Sequence, residues 1–300
     1  MTNPFRRQGA RPLVYGHRGA RGVLPENTMA GFEHLREVGA DGVELDIQNA
    51  AQCVPVIIHD PHVPMQIARD ESGAWLRAPG PLVRSLGPDA LGRYDVGRLN
   101  PDDAYAARYP GQQPVDGARI PTLAEFLDWA ATGPALRINI EVKSFAHRAD
   151  LGDAPERLVA SLLEALAPHD ISAHCVISSF DWRVLRVLRQ NAPDLARGYL
   201  SYEQPGPDCT IHQGSPWMDG LSLADHGGSL SELIAAQGAA CWCAFEGDLD
   251  GARVATARNL GLAVMAWTVN APARIAAMVE MGVDGIITDY PARAMAIIRG

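Results

Sequence analysis

The sequence predicts an α/β fold: a (β/α)8 TIM barrel with a small inserted subdomain after its second strand. Three observations carry that reading. Short apolar runs alternate with segments of helical period, eight such runs fit along 300 residues, and one long stretch, 60–119, follows neither pattern. Steady alternation of strand and helix builds parallel βαβ units. Eight of them in one chain of this length favour a closed barrel over an open doubly wound sheet.

The strands are read at 13–17, 42–47, 137–142, 174–179, 197–201, 240–245, 263–269 and 284–288. Helices between them carry their own start and stop signals. Thr122 with Glu125, and Ser229 with Glu232, each have the spacing of a capping box. The segment 155–167 places Leu158, Val159, Leu162, Leu163 and Leu166 on one face. Asp181 can cap 182–190, and Asn270 can cap 271–281, with Pro272 in the first turn and Gly282 just past the end. A further helix ends at Val38 before Gly39. EVGADGVELD (37–46) and EMGVDGIITD (280–289) echo one another at one offset, so Asp46 and Asp289 should sit at equivalent strand ends. Shared helix-stop-then-strand chemistry explains the echo better than a duplication.

A ninth apolar run, 54–59, follows strand 42–47 too closely for a parallel crossover, which needs about a dozen residues or more. It should be the return arm of a hairpin turning near Ala50–Cys53, bringing His59 back to the level of Asp46. Residues 60–119 are rich in Pro, Gly, Asp and Arg and leave the top of the barrel, where active sites of this fold lie. A connection of that length is usually functional, and it is expected to form a lid or subdomain within a single domain spanning 1–300.

Composition narrows the classes. Apolar residues make up 47% and charged residues 20%, an ordinary globular balance. A net charge of −9 argues against broad nucleic-acid binding. No stretch approaches the ~18 continuous apolar residues of a membrane helix. The N-terminal segment has basic residues but no apolar core of a secretory signal. The five cysteines form no C-x-x-C pair and read as small core residues in a reduced, cytoplasmic setting. Oligomeric state is left open.

Chemistry-bearing groups gather at C-terminal strand ends. Glu44 and Asp46 are spaced by two and point the same way, as do Glu141 and Lys143. Three carboxylates in one mouth would repel, and one would take up a proton. A hard divalent cation, Mg²⁺ or Ca²⁺, solves the problem through Glu44, Asp46 and Glu141; the plainer alternative is three separate salt bridges. His17 and His59 flank the cluster and suit a general acid and base. Arg18 and Lys143 at the same rim suit an anionic substrate, phosphate first, or else only neutralise the carboxylates. Metal, two histidines and two cations together fit phosphodiester cleavage, where charge builds on phosphate oxygens and an alcohol must leave protonated. No Walker loop, G-x-G-x-x-G or G-x-S-x-G occurs.

At these residues the chain resembles the glycerophosphodiester phosphodiesterase family. The matching stretches are HRGARGVLPENT (17–28), GADGVELD (39–46), VPVIIHDP (54–61), IPTLAEF (120–126), NIEVK (139–143), SSF (178–180), WTVN (267–270) and VDGIITDYP (283–291), in family order. The resemblance implies a distorted (β/α)8 barrel and metal-dependent hydrolysis of a glycerophosphodiester to glycerol 3-phosphate and an alcohol. It makes His17 and His59 the acid/base pair and Glu44, Asp46 and Glu141 the metal ligands. Arg18 and Lys143 would contact phosphate, and Trp267 would pack near the glycerol. Glu26 and Asn27 would brace the His17 loop. One departure stands out: after His-Asp-Pro the chain reads HVPMQIARD (62–70), where members often carry Asp-Arg-Thr, which bears on recognition of the glycerol or the leaving alcohol. His212 and His226 have no motif partner and read as surface. Two rivals remain: a lysophospholipase D acting on lipid-bearing diesters, which an exposed apolar patch on 60–119 would favour, and a phosphoester-binding barrel without turnover.

Overall fold

The computed structural model describes residues 3–7, 9 and 11–299; part of the N-terminal stretch read above for a secretory signal lies outside the described residues. Along the chain run β1 (Leu13–His17), α1 (Met29–Val38), β2 (Gly42–Asn49), β3 (Pro55–Ile57), α2 (Pro88–Leu91), α3 (Leu123–Ala131), β4 (Arg137–Val142) and α4 (Pro155–Leu166). There follow β5 (Cys175–Ser179), α5 (Trp182–Asn191), β6 (Ala196–Ser201), α6 (Leu230–Ala236), β7 (Cys241–Phe245) and α7 (Gly251–Asn259). The chain closes with β8 (Ala263–Trp267), α8 (Pro272–Met281), β9 (Gly285–Thr288) and α9 (Pro291–Arg299).

The parallel strands run in the order β1-β9-β8-β7-β6-β5-β4-β2, and β1 pairs back with β2 to close the barrel. β3 pairs antiparallel with β2, Ile57 opposite Ile47. The run 54–59 is therefore the return arm of a hairpin, and the Ile58 amide donates to the Asp46 carbonyl. The expected strands hold to within two residues at most ends. Where they differ, β2 runs on to Asn49 because β3 pairs with its upper half, and β8 stops at Trp267 rather than continuing to 269.

Apolar side chains fill three regions. The largest lies between strands and helices: Phe32 and Leu35 of α1 meet Phe126 of α3, with the Phe32 and Phe126 rings edge to face at 4.9 Å. The barrel interior is filled by Tyr15, Val176, Leu200, Cys241, Cys243, Met265 and Ile287, with Phe5 from the N-terminal segment closing its floor. A third cluster gathers Val63, Ile67, Ala68, Val83, Leu91 and Val96 from the 60–119 connection against Val56, Ile58 and Ile120. The connection thus packs on a core of its own, rooted on the β3 arm.

Helix ends follow the sequence with two corrections. Thr122 and Glu125 form a full capping box, but Ser229 supplies only the forward half, accepting from the Glu232 amide. Asn270 does not cap α8. Pro272 takes the first helical position, which makes Ala271 the capping residue and frees the Asn270 side chain for the site. Gly39 and Gly282 end α1 and α8 at φ +68° and +82°, a conformation that favours glycine.

Candidate active site

A parallel barrel delivers all its C-terminal strand ends to one mouth, so the strand registers place the site. His17 lies opposite Glu44, and Asp46 lies opposite Glu141. Pleating then turns Glu44, Asp46 and Glu141 to the same interior. All three are buried, and each offers an oxygen within 4.8 Å of the others. Asp46 Oδ2 accepts from Asn27 Nδ2 at 2.9 Å, while its Oδ1 is buried with no hydrogen-bond partner. Glu44 Oε2 accepts from the Arg18 amide at 2.9 Å. Lys143 Nζ sits 2.7 Å from Glu141 and 3.8 Å from Asp46.

Charge is unevenly shared in this cluster. Burial, then the neighbouring Asp46 and Glu141, pushes the Glu44 carboxyl well above the usual carboxylate range. Burial acts the same way on Asp46, but Arg18, His59 and Lys143 outweigh it and hold that carboxyl well below its usual value. A carboxyl that burial and two neighbouring carboxylates push toward its protonated form, beside a buried carboxylate oxygen without a hydrogen-bond partner, favours a hard cation among them. The donor set, three carboxylates, fits one.

Each histidine is fixed through Nδ1 by its own aspartate. His17 Nδ1 lies 2.7 Å from Asp289, and His59 Nδ1 lies 2.7 Å from Asp60. Arg21 and Asn270 also donate to Asp289, so that carboxylate is saturated with donors and its pKa is held well below the ordinary value against the effect of burial. An ionised Asp289 keeps the His17 proton on Nδ1 and leaves Nε2 as the free nitrogen, 3.8 Å from Glu44. Asp60 is anchored by Gln66 at 3.0 Å, and Gln48 Nε2 donates to the carbonyls of His59 and Asp60. His17 is the deeper ring, with 13% of its side chain exposed against 33% for His59.

The loop after β1 is a tight turn. Arg18 and Asn27 both have positive φ, and a Cβ on Gly16 would meet the Gly19 carbonyl at 1.9 Å, so the turn can fold under His17 only with glycine there. Arg18 bonds Glu26 at 2.7 Å and lies 3.2 Å from Asp46. Tyr105, from the long connection, donates its hydroxyl to Glu26. The same segment docks through Gln112 to the Arg21 carbonyl and through the Gln113 amide to the Val23 carbonyl. The connection therefore forms one wall of a cavity of about 470 Å³, lined also by His17, His59, Glu44, Glu141 and Lys143. Across it, Trp267 is held by its indole N–H on the Cys243 carbonyl and packs with Phe180, Tyr202 and Phe245.

All eight residues singled out in the sequence thus gather at one mouth. His212 is exposed and His226 half-buried on the 205–226 loop, away from it. Sequence reasoning missed five participants, one of them Asn270, which it read as a helix cap. Asp289 had a signal, the echo that set it beside Asp46. Asp60 had adjacency to His59. Arg21 and Tyr105 had none, because both act through contacts between distant segments.

Comparison with known proteins identifies a family and a fold. The Glycerophosphoryl diester phosphodiesterase family matches residues 17–293. A glycerophosphodiester phosphodiesterase of Caldanaerobacter subterraneus is 28% identical over 287 residues, covering 96% of this chain and 98% of that protein. A solved structure from Silicibacter pomeroyi, assigned to the glycerophosphoryl diester phosphodiesterases, superposes with a TM-score of 0.86 at 34% identity, covering 100% of this chain and 98% of the other. An Oleispira antarctica phosphodiesterase, solved with its product sn-glycerol-3-phosphate, shares the fold at a TM-score of 0.70 and 23% identity, covering 97% of this chain and 98% of that one.

Proposed function

The chain belongs to the glycerophosphoryl diester phosphodiesterase family, and from that premise we propose that it hydrolyses glycerophosphodiesters to glycerol 3-phosphate and an alcohol with the help of a divalent cation. The observation that carries this is one juxtaposition: two histidines, each held through Nδ1 by an aspartate, beside a carboxylate triad with an orphaned buried oxygen. The product named for the Oleispira enzyme supports the choice of substrate.

Glu44, Asp46 and Glu141 would hold the cation, Mg²⁺ or Ca²⁺. When bound, it would withdraw charge from a phosphate oxygen. Arg18 and Lys143 bind the phosphate, and Trp267 packs on the glycerol. His17, buried and with Nε2 free, takes the proton of the attacking hydroxyl, either water or the glycerol 2-hydroxyl. As the new P–O bond forms, the bond to the alcohol breaks; attack by water gives glycerol 3-phosphate directly, whereas attack by the 2-hydroxyl gives a cyclic glycerol phosphate that water must then open to glycerol 3-phosphate. His59, the more exposed ring, stands where a variable alcohol can leave and gives its Nε2 proton to that oxygen. Residues 60–119 act as the wall that covers the mouth. A cytoplasmic setting belongs to the same reading, supported by five free thiols.

The lipid-directed alternative gains nothing from the surface. Among the described residues, the exposed large apolar side chain is Leu260, outside the 60–119 wall. No helix there is long and apolar enough to cross a membrane.

The test is release of glycerol 3-phosphate from glycerophosphocholine and glycerophosphoethanolamine after chelation, then with Mg²⁺ or Ca²⁺ restored. Release that returns with the cation is expected. No release with any divalent ion, from protein shown to be folded, would overturn the proposal.

A further inference from the structure

Four permanent cations line the cavity: Arg18, Arg21, Lys143 and Arg108. Three are answered by carboxylates. Arg18 faces Glu26 and Asp46, Arg21 faces Asp289, and Lys143 faces Glu141 and Asp46. Arg108 is different. Among the described residues it has no carboxylate within ion-pair distance; its guanidinium lies over the rings of Tyr105 at 5.4 Å and Tyr109 at 5.7 Å. The Tyr109 ring also carries Arg21, at 5.0 Å. Arg108 is thus positioned by aromatic faces while its charge stays uncompensated at the exposed edge of the cavity. Asp60, the carboxylate on the same rim, is already engaged by His59 and Gln66.

Arg108 belongs to the wall contributed by the long connection, together with Pro64, Gln66, Ile67, Val96 and Tyr105. Under the function proposed above, on which this inference rests, the glycerol faces Trp267 and the phosphate faces Arg18 and Lys143. The alcohol half of the diester then meets the wall that holds Arg108. A guanidinium without a counter-ion at the cavity edge attracts an anionic group on that alcohol and repels a cationic one.

We propose that Arg108 is a specificity residue that selects glycerophosphodiesters whose alcohol carries an anionic group. Glycerophosphoserine and glycerophosphoethanolamine form a matched pair, differing by one carboxylate on the alcohol. The ratio of their kcat/KM values should favour the serine ester in the unaltered enzyme. It should fall about fivefold in R108Q, the size of a partly exposed charge contact, and further in R108E. An unchanged ratio in both variants, with glycerol 3-phosphate still released, overturns the role of Arg108 alone. Failure of the unaltered enzyme to cleave either ester overturns the proposed function and this inference with it.

Discussion

The carboxylate of Asp289 lies 2.7 Å from Nδ1 of His17, although 272 positions separate them in the chain. The contact exists because the barrel closes: β9 pairs with β1, Thr288 opposite Gly16, which sets the residue after β9 beside the residue that ends β1. Asp289 also accepts from Arg21 and Asn270. An amide in its place would still fit but could present its NH₂ to the ring and reverse the tautomer. D289N is therefore expected to lower kcat by about 10²-fold or more with KM changed little, since general acid–base catalysis is typically worth 10²–10⁴. Steady-state kinetics decide it; a loss under threefold would mean that Asp289 does not orient the base.

The two histidines should fail separately. H17A and H59A are each expected to reduce turnover by ~10²-fold or more. Their positions predict a further difference. A substrate with an activated phenolic leaving group needs little protonation, so it should restore H59A much more than H17A. Equal restoration of both would overturn the assignment of His59 to the leaving oxygen.

The arrangement of these residues is only partly legible in the sequence. Period-two spacing gave Glu44 with Asp46 and Glu141 with Lys143, because pleating is local. The return arm at 54–59 was forced by chain length alone, since no parallel crossover fits so few residues. Local spacing could not encode what barrel closure brings together. Asp289 reaches His17, Arg21 joins it, and Asn270 leaves its expected cap because Pro272 starts α8 one residue later. Tyr105 and Arg108 lie in a segment of weak periodicity, and their places depend on docking against the β1–α1 loop.

Cation binding should stabilise the fold in a pH-dependent way. In the cation-free protein the Glu44 carboxyl titrates well above its ordinary value, chiefly through burial and then Asp46 and Glu141. The folded state then holds a proton that the unfolded chain has released. Stability from this group is full below about pH 4.3, the ordinary glutamate value, and declines as pH rises toward the raised one. A divalent cation replaces that proton, so the increment it gives to Tm should be larger at pH 8 than at pH 5. E44Q should raise the chelated protein's Tm by about 3 °C, as relief of roughly 1 kcal/mol would, and should abolish the cation's increment. Thermal unfolding with chelator and with excess Mg²⁺ or Ca²⁺ tests both, and an increment independent of pH would count against the shared site.

The opposite end of the barrel offers a stability test that leaves the chemistry alone. Phe5 is fully buried among Tyr15, Cys241, Ala263 and Met265, at the end where β7 and β8 begin. Its backbone is held in place from both sides. Asn3 Nδ2 donates to the carbonyls of Ala240 and Gly261, and Arg137 donates to the Pro4 carbonyl at 2.9 Å. The ring therefore plugs a floor that strand closure alone leaves open. F5A removes that volume from a site whose walls are strands and cannot collapse, so the cost should be near the usual 3–5 kcal/mol for truncating a buried Phe to Ala. In a chain of this size that corresponds to a fall in Tm on the order of 10 °C. The mouth is built on the other ends of the same strands, so kcat/KM at 25 °C should stay within about twofold while the protein remains folded, as expected for sites without shared partners. A small Tm change would show that the N-terminal segment only rests against the barrel. A large loss of activity in the folded variant would show that floor and mouth are coupled through the interior stack of Tyr15, Cys243 and Met265.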